Sequence, residues 1–358
     1  MTEHIELYKK YRPEKWEDLI GQQKVANSLR SAVKKDKLPT AYGFFGPRGC
    51  GKTSSAILLA KAVNCLNPTK DGNPCNECEI CENIENRSQI GVSYISMANK
   101  GSVDDVRELV QKARLRLPVK RQVWILDEVH NLSRAAFDAL LIPIEEKSMP
   151  SLFIFCSTEA DKIPQTILSR IQSRRFTLVS PDDMEPFLKN ILKEEKLSID
   201  EELIKDSIRQ GRGSVRDTLT ALETIIETGE VSTSVGGRLI EALSERSIPK
   251  SLSIIAEGNN DGYDGRDLAE ELFSGLRDLL LTVSGVDKSI SGIVPVADVK
   301  KTAQGLLGRQ GIIIVTDEIG DAITRMTIGA DPRIHLEIAI VKAVGKLNKL
   351  KKIQESRV

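Results

Sequence analysis

The sequence predicts an α/β chain with a parallel sheet in its first half and helices alone in its second. Three observations lead there. Up to Leu178, short apolar runs alternate with longer helical stripes; after Pro181 the strand patterns stop; and 358 residues exceed the roughly 250 to 300 that one hydrophobic core serves. The expected division is an α/β domain over 1–178, a small helical domain over 179–230 and a larger helical domain over 231–358.

The predicted strands are short and bounded by turn or charged residues: Ala41–Phe45, Val92–Met97, Gln122–Leu126, Leu152–Cys156 and Arg175–Leu178. Between them, Val25, Leu29 and Val33 form one helical stripe, Val103, Val106, Leu109, Val110 and Ala113 another, and Ala136, Leu140 and Ile144 a third. Beyond Pro181, helices are predicted over Asp182–Lys196, Ile199–Arg209 and Val215–Thr228, with a change of character at Gly229–Ser234. The glycine-rich stretch Glu257–Gly265 reads as a loop and Arg333–Leu350 as a long amphipathic helix.

Composition excludes several classes of function. Apolar residues make up 40% and charged residues 28%, the balance of a soluble globular protein rather than a disordered one. Lysine plus arginine and aspartate plus glutamate both number 51, so no net charge draws the whole chain to nucleic acid or to an anionic membrane. Any DNA contact must come from a local basic surface. Met1–Lys10 has no signal-peptide core, and no apolar stretch approaches the roughly 20 residues a spanning helix needs. No membrane partner and a cytoplasmic location are therefore expected.

Residues Gly46–Thr53 read GPRGCGKT, directly after a predicted strand and directly before the helical run Ser54–Asn64. This is the setting a phosphate-binding loop requires. Glycines 46, 49 and 51 let backbone N–H groups wrap phosphates, and the helix start at Ser54 adds partial positive charge. Lys52 reaches the β- and γ-phosphates of ATP, and Thr53 ligates magnesium. Cys50 occupies a variable position of the loop as a small filler. Downstream, VWILDEVH over Val123–His130 runs an apolar strand into two adjacent carboxylates, which strand alternation sends to opposite sides. Asp127 is placed to hold magnesium and Glu128 to orient and deprotonate the attacking water.

Cys65, Cys75, Cys78 and Cys81 follow the spacing C-x9-C-x2-C-x2-C. Four thiolates suit tetrahedral zinc, and Asn73, Pro74, Asn76 and Glu77 supply turn chemistry between them. With no open position or base nearby, the expected zinc is structural; an iron–sulfur cluster and free thiols are the alternatives.

A phosphate loop followed at once by a four-cysteine insertion and then an Asp-Glu-Val-His strand end resembles the gamma/tau family, the AAA+ clamp-loader ATPases of the bacterial replicative polymerase. YKKYRPEKWEDLIGQ over Tyr8–Gln22 resembles that family's opening, and by that resemblance Tyr11, Arg12, Pro13 and Ile20 line the adenine pocket. HNLSRAAFDALLIPIEE, CSTEADKIP, TILSR and GSVRDTL resemble the DNA-coupling, sensor-1, arginine-finger and sensor-2 segments. The resemblance implies that Thr158 stands near the γ-phosphate, that Arg170 reaches a neighbouring subunit's site, and that Arg216 contacts the nucleotide from a helical lid. PRIHLEIAIVKAV, over Pro332–Val344, is similar to the family's C-terminal collar helix.

The chain departs from the family at Ile171, where cysteine is usual, and at Ile142, where a DNA-facing lysine is usual. Arg107, Lys112 and Arg114 remain as candidates for tracking a DNA backbone, against the alternative of a solvated helix face. The implied function is an ATPase subunit of a ring-like, pentameric clamp loader that opens a sliding clamp and places it on primer-template DNA. A short form is expected, ending at Val358 without the extension by which tau-type subunits hold helicase and polymerase, its lysine-rich finish a solvated tail. Two other classes compete: a non-hydrolysing stator, which an intact Lys52, Thr53, Asp127 and Glu128 disfavour, and a branch-migration motor, which the four cysteines disfavour.

Overall fold

The computed structural model describes residues 6–98, 100–146, 148–228, 235–260, 263–285, 299–326 and 331–356. The predicted change of character at 229–234 and residues 261 and 262 of the predicted glycine-rich loop lie outside them. The chain forms two compact units, Met1–Leu197 with Gly213–Thr220, and Ser198–Arg212 with Ala221–Val358.

The first unit alternates α1 (Leu7–Lys10), α2 (Gln23–Lys34), β1 (Ala41–Phe45), α3 (Lys52–Asn64), α4 (Glu79–Glu85), β2 (Val92–Ser96), α5 (Val103–Ala113), β3 (Gln122–Asp127), α6 (Arg134–Glu145), β4 (Ser151–Ser157), α7 (Gln165–Leu168), β5 (Gln172–Arg175) and α8 (Pro181–Glu194). The five strands make one parallel sheet in the order β2-β3-β4-β1-β5. Because alternate side chains leave opposite faces of a strand, each strand feeds two cores. Tyr42, Phe44, Val123, Ile125, Leu152 and Ile154 pack with α2 and α3 on one side. Ala41, Phe45, Trp124, Leu126, Phe153 and Phe155 pack with α5 and α6 on the other. Burial on both faces explains why β1, β3 and β4 read as apolar runs.

β5 lies three residues before its predicted position. At the sheet edge its residues, QSRR, are largely exposed and carry no apolar signature. The apolar signal came instead from Phe176, which is 1% exposed and whose N–H donates to Phe45 O at 2.7 Å before the chain leaves the sheet.

The second unit is helical: α9 (Glu201–Gly211), the later part of α10 (Val215–Thr228), α11 (Val235–Ser244), α12 (Ile248–Asn260), α13 (Gly265–Val283), α14 (Val299–Gly305), α15 (Gly308–Met326) and α16 (Pro332–Glu355). One core of leucine, isoleucine and alanine side chains joins α11 to α16. Glu257–Asn260 is helical rather than loop. Gly258 belongs to the packed face of α12, where an added Cβ would stand 3.1 Å from Val235 Cγ1 and 3.2 Å from Leu268 Cδ1. α16 continues through the lysine-rich finish as far as Glu355, where a tail was expected.

Phe44 is fully buried against Tyr42 and Phe176, with ring centroids 5.9 and 5.3 Å away. Phe44→Ala is expected to destabilise the first unit by about 3–5 kcal/mol. Both tryptophans, Trp16 and Trp124, belong to this unit, so denaturant unfolding followed by their fluorescence measures it directly.

Candidate nucleotide-binding site

Parallel strands end at one edge of their sheet, and the crevice outside that edge is where α/β folds hold ligands. Here a cleft of about 850 Å³ opens there, within the first unit. β1 delivers the loop residues Arg48–Gly51, β2 delivers Tyr94 and Ser96, β3 delivers Asp127 and Glu128, and β4 delivers Thr158 to its lining. Tyr11, Arg12, Pro13 and Ile20 form another part of the wall, and Arg216 of α10 a third.

The loop is shaped by its glycines. Gly46 has φ of 153°, and a Cβ there would meet Phe176 O at 2.3 Å. Gly49 has φ of 70°, and a Cβ there would lie 1.9 Å from Ser214 Oγ. A larger residue at Gly46 would have to move the Phe176 backbone, and one at Gly49 would have to adopt a positive φ and displace the Ser214 hydroxyl. Gly49 O also accepts from Val215 N at 3.0 Å, fastening the loop to the start of α10. Cys50 is buried, its thiol donating to Pro47 O at 2.8 Å, and burial pushes that thiol up, consistent with a small protonated filler.

Lys52 is 7% exposed, and its ammonium donates to Gly46 O at 2.7 Å and Pro47 O at 2.6 Å. A cation held over the loop by carbonyl groups is placed to exchange them for anionic oxygens. Thr53 Oγ1 donates to Asp127 Oδ2 at 3.0 Å, which brings together the two residues expected to share magnesium. Glu128 has left-handed backbone, φ 56° and ψ 42°, a conformation that costs a non-glycine residue about 1–3 kcal/mol. Its N–H donates to Asp127 Oδ1 at 3.0 Å, and its carboxylate lies 3.3 Å from His130 Nδ1. His130 also touches Glu159, at 3.3 Å, and Ser157 Oγ, at 3.1 Å.

Tyr8, Arg87, Tyr94 and Phe187 also line the cleft, though none was singled out in the sequence as a site residue. Tyr94 donates its hydroxyl to Asp127 Oδ2 at 2.6 Å, and burial first, then this bond, pushes its phenol up. The Arg87 guanidinium lies 4.4 Å from the Tyr94 ring centroid, and that of Arg216 lies 4.7 Å from Tyr8. Phe187 of α8 adds apolar surface.

Several expected residues are elsewhere. Arg170, after α7, is not among the residues lining the cleft; it pairs with Glu145 and donates to Thr166 O at 2.8 Å on an exposed surface. Arg107 pairs with Asp104 at 3.1 Å, Lys112 with Glu108 at 2.6 Å and Arg114 with Glu146 at 3.0 Å, all exposed. Ile142 on α6 is 68% exposed, and Ile171 is buried.

The four cysteines converge. Cys65, Cys75, Cys78 and Cys81 place their Sγ atoms within 4.8 Å of one another, which suits one tetrahedral ion. Burial raises the Cys78 thiol, but the Leu66 and Cys81 backbone N–H groups and neighbouring thiols outweigh it and bring the thiol down to about 6. Burial pushes Cys65 and Cys81 up, a cost that a bound cation offsets.

A family model described as DNA polymerase III, delta subunit, matches residues 21–180. The DNA polymerase III subunit tau of Bacillus subtilis (strain 168) is 33% identical over 356 residues, covering 94% of this chain and 62% of that protein. The gamma/tau subunit of Mycobacterium tuberculosis (strain ATCC 25618 / H37Rv) is 32% identical over 360 residues, with the same coverage of 94% and 62%. The gamma subunit of Buchnera aphidicola subsp. Acyrthosiphon pisum is 36% identical over 226 residues, covering 62% of each chain. The chain thus spans 62% of the length of these relatives. Among solved structures, the Thermotoga maritima RuvB Holliday junction branch migration motor aligns with a TM-score of 0.46 and 16% identity, over 89% of this chain and 81% of that one. The phosphate loop, the Asp-Glu strand end and the four cysteines thus stand in a chain that is similar, over 94% of its length, to tau and gamma/tau subunits of DNA polymerase III.

Proposed function

We propose that this chain is an ATP-hydrolysing clamp-loader subunit, acting in the cytoplasm within a pentameric ring that opens a sliding clamp and places it on primer-template DNA. The observation that carries this reading is the convergence of Lys52, Thr53, Asp127 and Glu128 on one cleft at the carboxyl edge of a parallel sheet. The names of the relatives support the replication setting.

In this reading residues 1–178 bind the nucleotide, 179–230 act as a lid and 231–358 as an oligomerising collar. N–H groups of Gly49 to Ser54 receive phosphate oxygens, and Lys52 gives up the Gly46 and Pro47 carbonyls to reach the β- and γ-phosphates. Thr53 and Asp127 hold magnesium, which neutralises charge on the phosphates when bound. Glu128 turns from His130 to orient a water and take its proton, while Thr158 and Arg216 face the γ-phosphate. Tyr11, Arg12, Pro13 and Ile20 enclose adenine. Structural zinc sits among Cys65, Cys75, Cys78 and Cys81. Arg170 leaves Glu145 and enters the adjoining subunit's cleft, where its charge stabilises the transition state. Arg107, Lys112 and Arg114 follow the DNA backbone, and Ile142, exposed where the family usually has a lysine, neutralises no phosphate.

The reading is tested by ATPase measurements on the chain assembled with its companion subunits, clamp and primed DNA. Lys52→Ala is expected to lower the stimulated rate by about 100-fold or more. Arg170→Ala is expected to lower it by about 10³-fold while leaving ATP affinity of the isolated chain unchanged. A stimulated rate that survives Arg170→Ala removes the trans role. Gly49→Ala, whose Cβ has no room beside Ser214, is expected to weaken ATP binding in equilibrium titration more than it lowers the melting temperature.

A further inference from the structure

The four-cysteine insertion lies between the phosphate-loop helix α3 and the short helix α4, and residues 65–78 contain no regular element. Much of it is polar and exposed; Leu66, its one large apolar side chain, is 62% exposed. An irregular loop of this length, with little apolar burial, needs a cross-link to hold one conformation. Yet part of it is ordered against something specific. Gly72, Asn73 and Pro74 are buried; Gly72 lies against Lys34 and Arg30 of α2, and Gly72 and Asn73 bond to the segment 12–17, whose Arg12 and Pro13 line the nucleotide cleft.

The contacts are directional. Asn73 Oδ1 accepts from Trp16 N at 2.9 Å, and Asn73 Nδ2 donates to Glu17 at 3.0 Å. Gly72 O accepts from the Trp16 indole N–H at 2.8 Å, and Trp16 is 2% exposed. Asn76 Nδ2 donates to Glu14 O at 3.1 Å. One turn beyond Cys81, Glu85 on α4 pairs with Arg12 at 3.2 Å and with Lys61 of α3 at 2.7 Å. Burial raises the Glu85 carboxyl, but Lys61 and then Arg12 outweigh it and hold it below its usual range. Among the described residues, 14 and 15 are otherwise tied to Asp18 of their own turn.

We infer that the four-cysteine loop is a metal-set brace for the base-side wall of the cleft: an ion at Cys65, Cys75, Cys78 and Cys81 fixes Asn73, Asn76 and Glu85, and these hold Arg12 to Glu17 in place. Asn73 and Glu85 are positioning residues, acting through Trp16 and Arg12. The inference rests on the nucleotide-binding reading above. It also separates two parts of the site. The phosphate loop is shaped by its own glycines and by Ser214, so the brace governs affinity for the base and ribose end of the ligand and leaves phosphate binding alone.

The test compares ATP with inorganic tripolyphosphate as probes, by calorimetry on the full chain, zinc-loaded and after zinc removal by chelation, and on zinc-loaded Asn73→Ala and Glu85→Gln. Loss of two hydrogen bonds of ordinary strength predicts that ATP affinity falls about five- to thirty-fold for Asn73→Ala and at least as far after zinc removal. Tripolyphosphate affinity is expected to stay within about two-fold, and hydrogen exchange of residues 12–17 to speed up ahead of that of β1 and β3. ATP affinity indifferent to zinc and to both substitutions overturns the brace. Equal losses for ATP and tripolyphosphate also overturn it, because they report general loosening of the unit. If the zinc-loaded wild type binds neither probe, the nucleotide reading itself fails.

Discussion

The constraint on which the molecule depends is that all five strands run parallel. Their carboxyl ends then share one edge, and residues more than a hundred positions apart in sequence, from Gly46 to Thr158, become neighbours. An antiparallel strand in this sheet would send its carboxyl end to the opposite edge. The Thr53–Asp127 hydrogen bond, across β1 and β3 with β4 between them, marks how far the sheet must hold register for the site to assemble.

At that edge, regular structure gives way to conformations that only the surrounding packing sustains. The loop after β1 turns through glycines pressed against Phe176 O and Ser214 Oγ. After β3, Glu128 is held in left-handed backbone by its own N–H bond to Asp127 and by Asn131 N–H donating to Glu128 O at 3.0 Å. Such strain persists where neighbouring contacts over-determine it, and it fixes the direction of a carboxylate that a relaxed strand end would leave free. His130, placed between Glu128 and Glu159, adds a second restraint on the same side chain.

The polar links outside the cleft follow the same logic of short chain segments held by directional bonds around a single apolar anchor. The segment 11–18 has only Trp16 fully buried, in the core beside α2, and its other ties are to the cysteine-rich loop, to Arg30 of α2 through Glu17, and to Glu195, which accepts from the Tyr11 hydroxyl. One consequence is that the wall of the site is less stable than its floor, where β1, β3 and β4 are almost wholly buried.

What the sequence determined by itself was everything set by local periodicity and by fixed spacing. Doubly buried strands had to be apolar runs, so β1, β3 and β4 were legible within a residue or two, β2 was legible from its β-rich composition although it lies half-buried at the sheet edge, and Lys52, Thr53, Asp127 and the four cysteines were legible because their chemistry demands residue types at set intervals. Tertiary structure decided the rest. The edge strand β5, free of a packed face, carried no pattern, while Phe176 beside it did; Gly258 looked like a loop residue and is a helix-packing one. Tyr94 and Arg87 reach the cleft only because β2 lies next to β3, and Asn73 and Glu85 meet residues 12–17 only once the cysteine loop has folded back. A side chain recruited by the approach of two distant segments leaves no periodic trace, because neither segment's own burial or spacing depends on it.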